Sequence, residues 1–256
     1  MRNFAAIYGK EMRSYFSSPV AYVMGGVWLL FSGYMFRNIM LEFNRFCLTY
    51  SQNPRAGVPN INDWVVTNFF GFKFFVWMIV VPFLTMRLYA EEKKTGTIEL
   101  LITSPVTTLQ TLMGKFAACF TLYAAIEAVG FAHILIARAY GNLEWGPVVS
   151  AYAAVLLMGG AFVALGILAS ALTENQIIAG AVAFFLLITL WLIDWSASFV
   201  TSPTLSAVLS YLSILDHMRD FQRGVIDTGN VVFFLSLVAF GLFLTHTVLE
   251  SRRWRQ

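Results

Sequence analysis

Charge is what this 256-residue chain has least of: 12% of its residues are Asp, Glu, Lys or Arg, about half the share of a soluble globular domain. With 58% hydrophobic residues and a mean hydropathy of +0.69, water is excluded as its main solvent. The net charge of +3 is too small and too dispersed to form a nucleic-acid footprint, so no nucleic-acid partner is expected. Cysteine is nearly absent as well. Cys47, in an expected loop, and Cys119, in an apolar run, supply neither a disulfide framework nor a metal-ligand spacing and read as free thiols. His133, His217 and His246 stand far apart without carboxylate companions, and no HExxH run occurs, which argues against an intramembrane metalloprotease. The phosphate-cradling GxxxxGK[ST] run is missing too: Gly9-Lys10 and Gly114-Lys115 are followed by Glu11 and Phe116. No catalytic residue, cofactor or metal is therefore expected. The first apolar block follows a charged segment of helix length and lacks a small-residue cleavage pattern, so no cleavable signal is expected.

What the chain has instead is long apolar runs. Uncharged stretches cover residues 14–36, 74–86, 145–173, 175–193 and 228–249, and a sixth, 116–137, is interrupted by Glu127. Crossing a bilayer core of about 30 Å takes about 20 residues of helix. The expected fold is thus all-α: a polytopic membrane protein of six transmembrane helices forming one domain over residues 1–256. The second stretch reaches this length only by extending outward past Lys73, whose ammonium would snorkel to the headgroups. Glu127 is tolerable mid-span if it faces protein, either as a hydrogen-bonded helix contact or as an intramembrane polar site for substrate or protons. Gly160 with Ala164, and Ala179 with Ala183, sit four apart and permit close helix approach.

Basic residues orient the spans. With the amino terminus cytoplasmic, the inner segments hold Arg2, Lys10, Arg13, Arg87, Lys93, Lys94, Lys115, Arg252, Arg253 and Arg255. The outer ones hold fewer, Arg37, Arg45, Arg55, Arg138, Arg219 and Arg223, so both termini are expected in the cytoplasm. Residues 38–63, with Pro54 and Pro59, read as an outer loop. Residues 195–215, broken by Pro203, read as one or two short helices dipping into the outer surface. A seventh span there would put the basic tail RRWRQ outside. Asp194, beside two tryptophans, reads as lying in the headgroups.

Before the first span, Phe4, Ile7, Tyr8, Met12, Tyr15 and Phe16 recur at helical spacing opposite Arg2, Lys10 and Arg13, predicting an amphipathic interface helix over residues 2–18. Glu11 intrudes at its apolar edge, which fits a helix that also touches a protein partner; a simple membrane-surface anchor is the alternative. Residues 86–106, MRLYAEEKKTGTIELLITSPV, carry the second span into the cytoplasm. Glu91, Glu92, Lys93 and Lys94 place charge on the emerging helix, Gly96 can take the positive φ that ends it, and Pro105 stops a new short helix over 97–103. On that short helix Ile98, Leu101 and Ile102 share a face, with Glu99 in the first turn. Residue types alone leave two readings: a knuckle that passes force from a soluble partner to two spans, or a loop helix resting on the bilayer.

The run EE, two basic residues, a small residue, GT, an apolar residue, ELL, two residues and Pro resembles the cytoplasmic loop of ABC type-2 exporter permeases. The opening KEMRSYFSSPVAYVMGGVWLLFSGYMF is similar to the start of the gliding-motility-associated branch of that family, and the copper-site maturation permeases for nitrous oxide reductase are more distant relatives. The likeness is strong over about residues 8–36 and 84–116, and Lys93, Lys94 and Thr95 stand where the family more often has two arginines and a serine. The resemblance implies a permease subunit of the bacterial inner membrane. It implies a coupling helix that docks on a separate ATPase subunit through Glu91, Glu92, Gly96, Thr97, Ile98, Glu99, Leu100, Leu101, Ile102 and Pro105. Its further partners would be a second permease copy or a related permease, and membrane lipid. Two alternatives stand beside it: an ion-coupled secondary transporter, although Pro82 is the only proline well within a span, and a non-transporting subunit that helps assemble surface machinery.

Overall fold

The computed structural model describes residues 2–52, 60–98, 106–197 and 199–253; among these there is no β-strand. Among the described residues, six helical segments are long and apolar enough to cross a membrane. Helix α1 (Arg2–Ser17) is followed after a bend at Ser18 by α2 (Pro19–Gln52). A widened turn, Asn62–Val66, leads into α3 (Thr67–Thr85) and, past Met86, α4 (Arg87–Lys94). Helices α5 (Thr108–Val129) and α6 (Phe131–Tyr140) form the third span, broken at Gly130. Then follow α7 (Trp145–Leu172), α8 (Gln176–Ala197), the short α9 (Pro203–Leu212) and α10 (Ile214–Gln222), and α11 (Thr228–Arg253).

Helix α7 is the axis. It is buried along most of its length, and α3, α5, α8, α10 and α11 all pack on it. Its composition explains the position, because small residues on several faces let neighbours approach closely, and such approach drives helix association where lipid tails are as apolar as the side chains. Gly160 and Ala164 face Val238 and Gly241 of α11, and Ala179 and Ala183 of α8 are fully buried. Gly159 receives the ring of Tyr123 from α5, whose hydroxyl donates to the Val155 carbonyl at 2.6 Å. The outermost helices keep broad apolar faces: Ile177 and Phe185 on α8 are 80% and 65% exposed, and Phe243 on α11 is 66% exposed. On a membrane protein such a surface faces hydrocarbon.

One expectation is corrected by the fold. Residues 38–52 are not loop: α2 runs 34 residues to Gln52. No Pro or Gly interrupts residues 37–52, and Met40 and Phe43 continue the apolar stripe against the core, so nothing breaks the helix before Pro54. The second span extends outward past Lys73, as its short uncharged run required, and reaches from Asn62 to Lys94. Residues 195–215 do hold short helices. Pro203 opens α9, and Ser213 caps α10 by accepting from the Asp216 N–H at 3.1 Å while donating to Asp194 Oδ1 at 2.7 Å. Ile214, Met218 and Phe221 bury α10 against the bundle. At ten and nine residues neither helix can cross a bilayer.

A β-carbon at Gly159 would stand 2.1 Å from the Tyr123 ring, whereas one at Gly71 meets nothing within 4 Å. Gly159→Leu is therefore expected to destabilise the detergent-solubilised protein by about 1–3 kcal/mol or more, while Gly71→Ala leaves it unchanged or slightly firmer. Thermal melting of both variants checks this; equal melting temperatures would contradict the close packing of α5 on α7.

Candidate functional site

The root of the 86–106 segment is built from four helices. Pro82 has no N–H to give Met78, so the α3 ladder is already weakened one turn before Met86. Into that break comes Ser170 of α7. Its Oγ accepts from the Tyr89 and Ala90 N–H groups at 3.0 and 3.1 Å and donates to the Met86 carbonyl at 2.8 Å. A side chain inserted in a helix ladder fixes its local geometry, so the junction between α3 and α4 is held by α7. Lys93 then donates to the Ala171 carbonyl at the end of α7, a lysine satisfying a helix carboxyl terminus.

On the other side of α4 lies a cluster of four charges. Lys115 of α5, 1% exposed, spends its three N–H groups on Glu11 Oε1, Glu92 Oε1 and the Leu88 carbonyl, each at 2.8 Å. Lys10 donates to Glu92 at 2.9 Å and lies 3.7 Å from Glu11. The group is neutral overall, two carboxylates against two ammoniums. Burial by itself would lower the pKa of Lys10, but the hydrogen bond and charge of Glu92, followed by Glu11, outweigh it and raise the pKa, so Lys10 is cationic throughout the neutral range. The elbow between α1 and α2 joins the same root: Arg87 donates to Ser18 Oγ at 3.0 Å and lies over the Tyr15 ring, and the Tyr15 hydroxyl donates to the Leu84 carbonyl at 2.8 Å. A half-open groove of about 290 Å³ remains, with Glu91 and Thr97 at its rim.

Of the residues expected to dock a partner, the structure describes five. Glu91, Gly96 and Thr97 are exposed, Ile98 packs partly on the core, and Glu92 is turned inward to the lysines. Gly96 has φ of 72°, as its place after the helix requires, with its N–H on the Lys93 carbonyl at 3.2 Å and the Thr97 hydroxyl on the Glu92 carbonyl at 3.3 Å. Glu99, Leu100, Leu101, Ile102 and Pro105 lie outside the described residues. Glu11, expected to touch a partner protein, instead meets Lys115 of α5 in its own chain. Sequence reasoning did not foresee Lys115 and Ser170. The signal for Lys115 was its isolation, since it is the one charge between Glu99 and Glu127; a serine inside an apolar helix carried none.

Glu127 sits in a second, deeper polar centre. It forms an ion pair with Lys73 of α3 and accepts from Trp77 Nε1 at 2.9 Å on its other oxygen. Lys73 also donates to the Tyr152 hydroxyl at 3.3 Å and lies within 5.7 Å of the ring centres of Trp28, Phe69, Phe70 and Tyr152. Lys73 therefore does not snorkel: it is fully buried. The reason is the added length of the second span, which puts Lys73 eleven residues, about 16 Å, from its start at Asn62. A carboxylate on the neighbouring helix is nearer than the headgroups. The opposite signs of two lone charges in two apolar runs were the available hint.

The family model described as ABC-2 family transporter protein matches residues 38–215, well over half of the chain. The chain belongs to this family. It is thus the membrane, permease component of an ABC transporter, and the ABC-2 match covers both polar centres except for α1, Ser18 and Trp28. No curated protein matches the sequence.

Removing one partner of a buried pair strands the other's charge, at about 3–5 kcal/mol. Glu127→Gln and Lys73→Met in this ABC-2 permease are each expected to destabilise it by that order, and the double variant to recover most of the loss. Unfolding in mixed detergent measures it; a double variant as unstable as the sum of the singles would contradict a coupled pair.

Proposed function

We propose that this ABC-2 permease is the membrane half of a bacterial exporter whose ATP is hydrolysed on a separate subunit docked at residues 86–106. The observation that carries this reading is the fastening of α4 to α1, α5 and α7 at once, through Glu92, Ser170 and Lys93. A push on the segment beyond Gly96 would reach three helices as one rigid lever instead of bending a loop. In this reading Glu91, Thr97, Glu99 and Leu101 meet the ATPase, Ile98, Leu100, Ile102 and Pro105 shape the short helix, and Glu92 positions it from within. Exposed apolar faces on α8 and α11 leave room for a second permease copy or a related chain, which would complete the path. The membrane would be the inner membrane, with both termini in the cytoplasm, since the basic residues concentrate at the loop end of the bundle.

Glu99→Lys and Leu101→Asp are expected to abolish co-purification of the ATPase and ATP-dependent transport while membrane insertion stays normal. Retention of both activities by both variants would overturn the docking assignment. A reporter fused after Gln256 should read cytoplasmic, and a periplasmic signal would refute the orientation.

One observation favours a second reading. A buried Lys73–Glu127 pair is the kind of group that ion-coupled transporters use. Transport that continues when the companion ATPase is inactivated would favour it. The gliding-type opening at residues 8–36 points instead to a subunit serving surface-machinery assembly, in which ATP-dependent assembly would proceed without net solute movement.

A further inference from the structure

The end of the bundle opposite the loop root holds a histidine whose ring hydrogen bonds can be counted in full. Helix α11 starts at that end with Thr228 and finishes at the other, where Glu250 accepts from Thr108 just past residues 86–106. His217 of α10 sets Nε2 at 2.9 Å from the carbonyl of Tyr211, in the last turn of α9. Its Nδ1 stands 2.6 Å from Asn230 Oδ1, in the first turn of α11. Asn230 in turn donates from Nδ2 to Asp220 Oδ2 at 3.0 Å.

A carbonyl accepts and never donates. A carboxylate does the same, so Asp220 turns the Asn230 amide nitrogen toward itself and the amide oxygen toward the histidine. Both ring nitrogens of His217 therefore face acceptors, and a neutral imidazole, with one N–H, would set a lone pair against an oxygen at one of the two contacts. The surroundings suit an imidazolium. Its ring stacks on Phe233 with centres 3.9 Å apart, where a π face attracts a cation, and the Tyr211 carbonyl is at the negative end of α9. From α9 the ring meets the Tyr211 phenol, and from α11 Asn230, Phe233 and Phe234, so neither helix brings a carboxylate or a basic group to these contacts. The neighbouring charges are engaged elsewhere: Asp216 pairs with Arg219, which lies 3.7 Å from Asp194 of α8, and Asp227 accepts from the Gly229 N–H at 2.8 Å. Arg223 is exposed beyond the end of α10.

We propose that His217 is a proton-operated clasp, which ties the end of α9 to α10 and α11 while both ring nitrogens carry a proton and lets α9 go when one proton leaves to water. Helix α9 is the part released because it is the least anchored. It packs on α8, yet none of its described side chains is buried, whereas Ile214, Met218 and Phe221 bury α10 and Asn230 is buried and held by Asp220. The closed state needs the charged ring, so the tie is complete in acid and is lost as the pH rises. Rotation of the Asn230 amide cannot rescue it, because that would turn the amide oxygen onto Asp220. Proton concentration at this face of the membrane thus sets the freedom of α9, whatever docks at residues 86–106.

The test is hydrogen exchange read by mass spectrometry on the full chain in detergent micelles, at about pH 5 and about pH 8, the limits between which histidine changes charge. After correction for the intrinsic acceleration of exchange with pH, the amides of residues 204–212 should exchange about tenfold faster, or more, at the higher pH, the size of one hydrogen bond to a charged group. Asp220→Asn should abolish this difference and leave α9 protected at both pH values, since the Asn230 amide is then free to turn and donate to a neutral ring. His217→Gln should leave α9 exchanging fast at both. Equal protection of α9 at the two pH values in the natural chain would overturn the proposal. A pH difference that survives undiminished in Asp220→Asn would place the controlling group elsewhere and overturn it as well.

Discussion

The buried lysines Lys115 and Lys73 each find a counter-charge on another helix, because neither hydrocarbon nor the packed core offers water in its place. That constraint is met twice. Lys115 spends all three donors on Glu11, Glu92 and the Leu88 carbonyl, and Lys73 with Glu127 closes a pair inside a shell of aromatic rings. Each arrangement joins segments remote in sequence, so each specifies which helices are neighbours. Apolar packing alone would be less selective, since one leucine-rich face fits lipid nearly as well as another.

The two centres divide the molecule. The cluster around Lys115 welds α1, α4 and α5 into a platform at the loop end, and Ser170 and Lys93 extend it to α7. The Lys73–Glu127 pair lies deeper, between α3 and α5, where Trp77 holds the second carboxylate oxygen. Because α3 and α4 form one interrupted span, both centres lie along a single rod pinned at two heights. Under the proposed docking at residues 86–106, a displacement there would pass through α4 and its bonds to Lys115, Ser170 and Ala171 into the bundle. Helix α7 supplies the axis for that rod, its small residues admitting Tyr123 on one side and α11 on another.

Much of the architecture was legible beforehand. Uncharged runs marked the six spans, and Pro203 with the basic tail RRWRQ marked short helices in place of a seventh span over residues 195–215. Gly96 announced a left-handed helix end that the backbone carries. Boundaries were less legible, because charge is a poor guide to where a helix stops: α2 carries Arg37, Glu42 and Arg45 through residues 38–52 with no break. The polar root of residues 86–106 was half legible. Glu91, Glu92 and Thr97 were marked by motif, yet nothing in the motif distinguished the carboxylate that faces outward from the one that faces Lys10 and Lys115.

Composition by itself determined that the chain is a six-helix membrane protein, because bilayer thickness converts a length of uncharged sequence directly into a crossing. The loop motif, with its spacing, pointed to the ABC type-2 permeases, and the ABC-2 match across residues 38–215 agrees with it. Only the tertiary structure decided how the isolated charges are spent. Lys73 looked like a snorkelling lysine and is the counter-ion of Glu127; Glu11 looked like a contact for another protein and belongs to the cluster within its own chain. The physical reason is that a charge in an apolar run declares only that it needs a partner. Which partner it meets depends on helix rotation and depth, and these are set by close packing around α7.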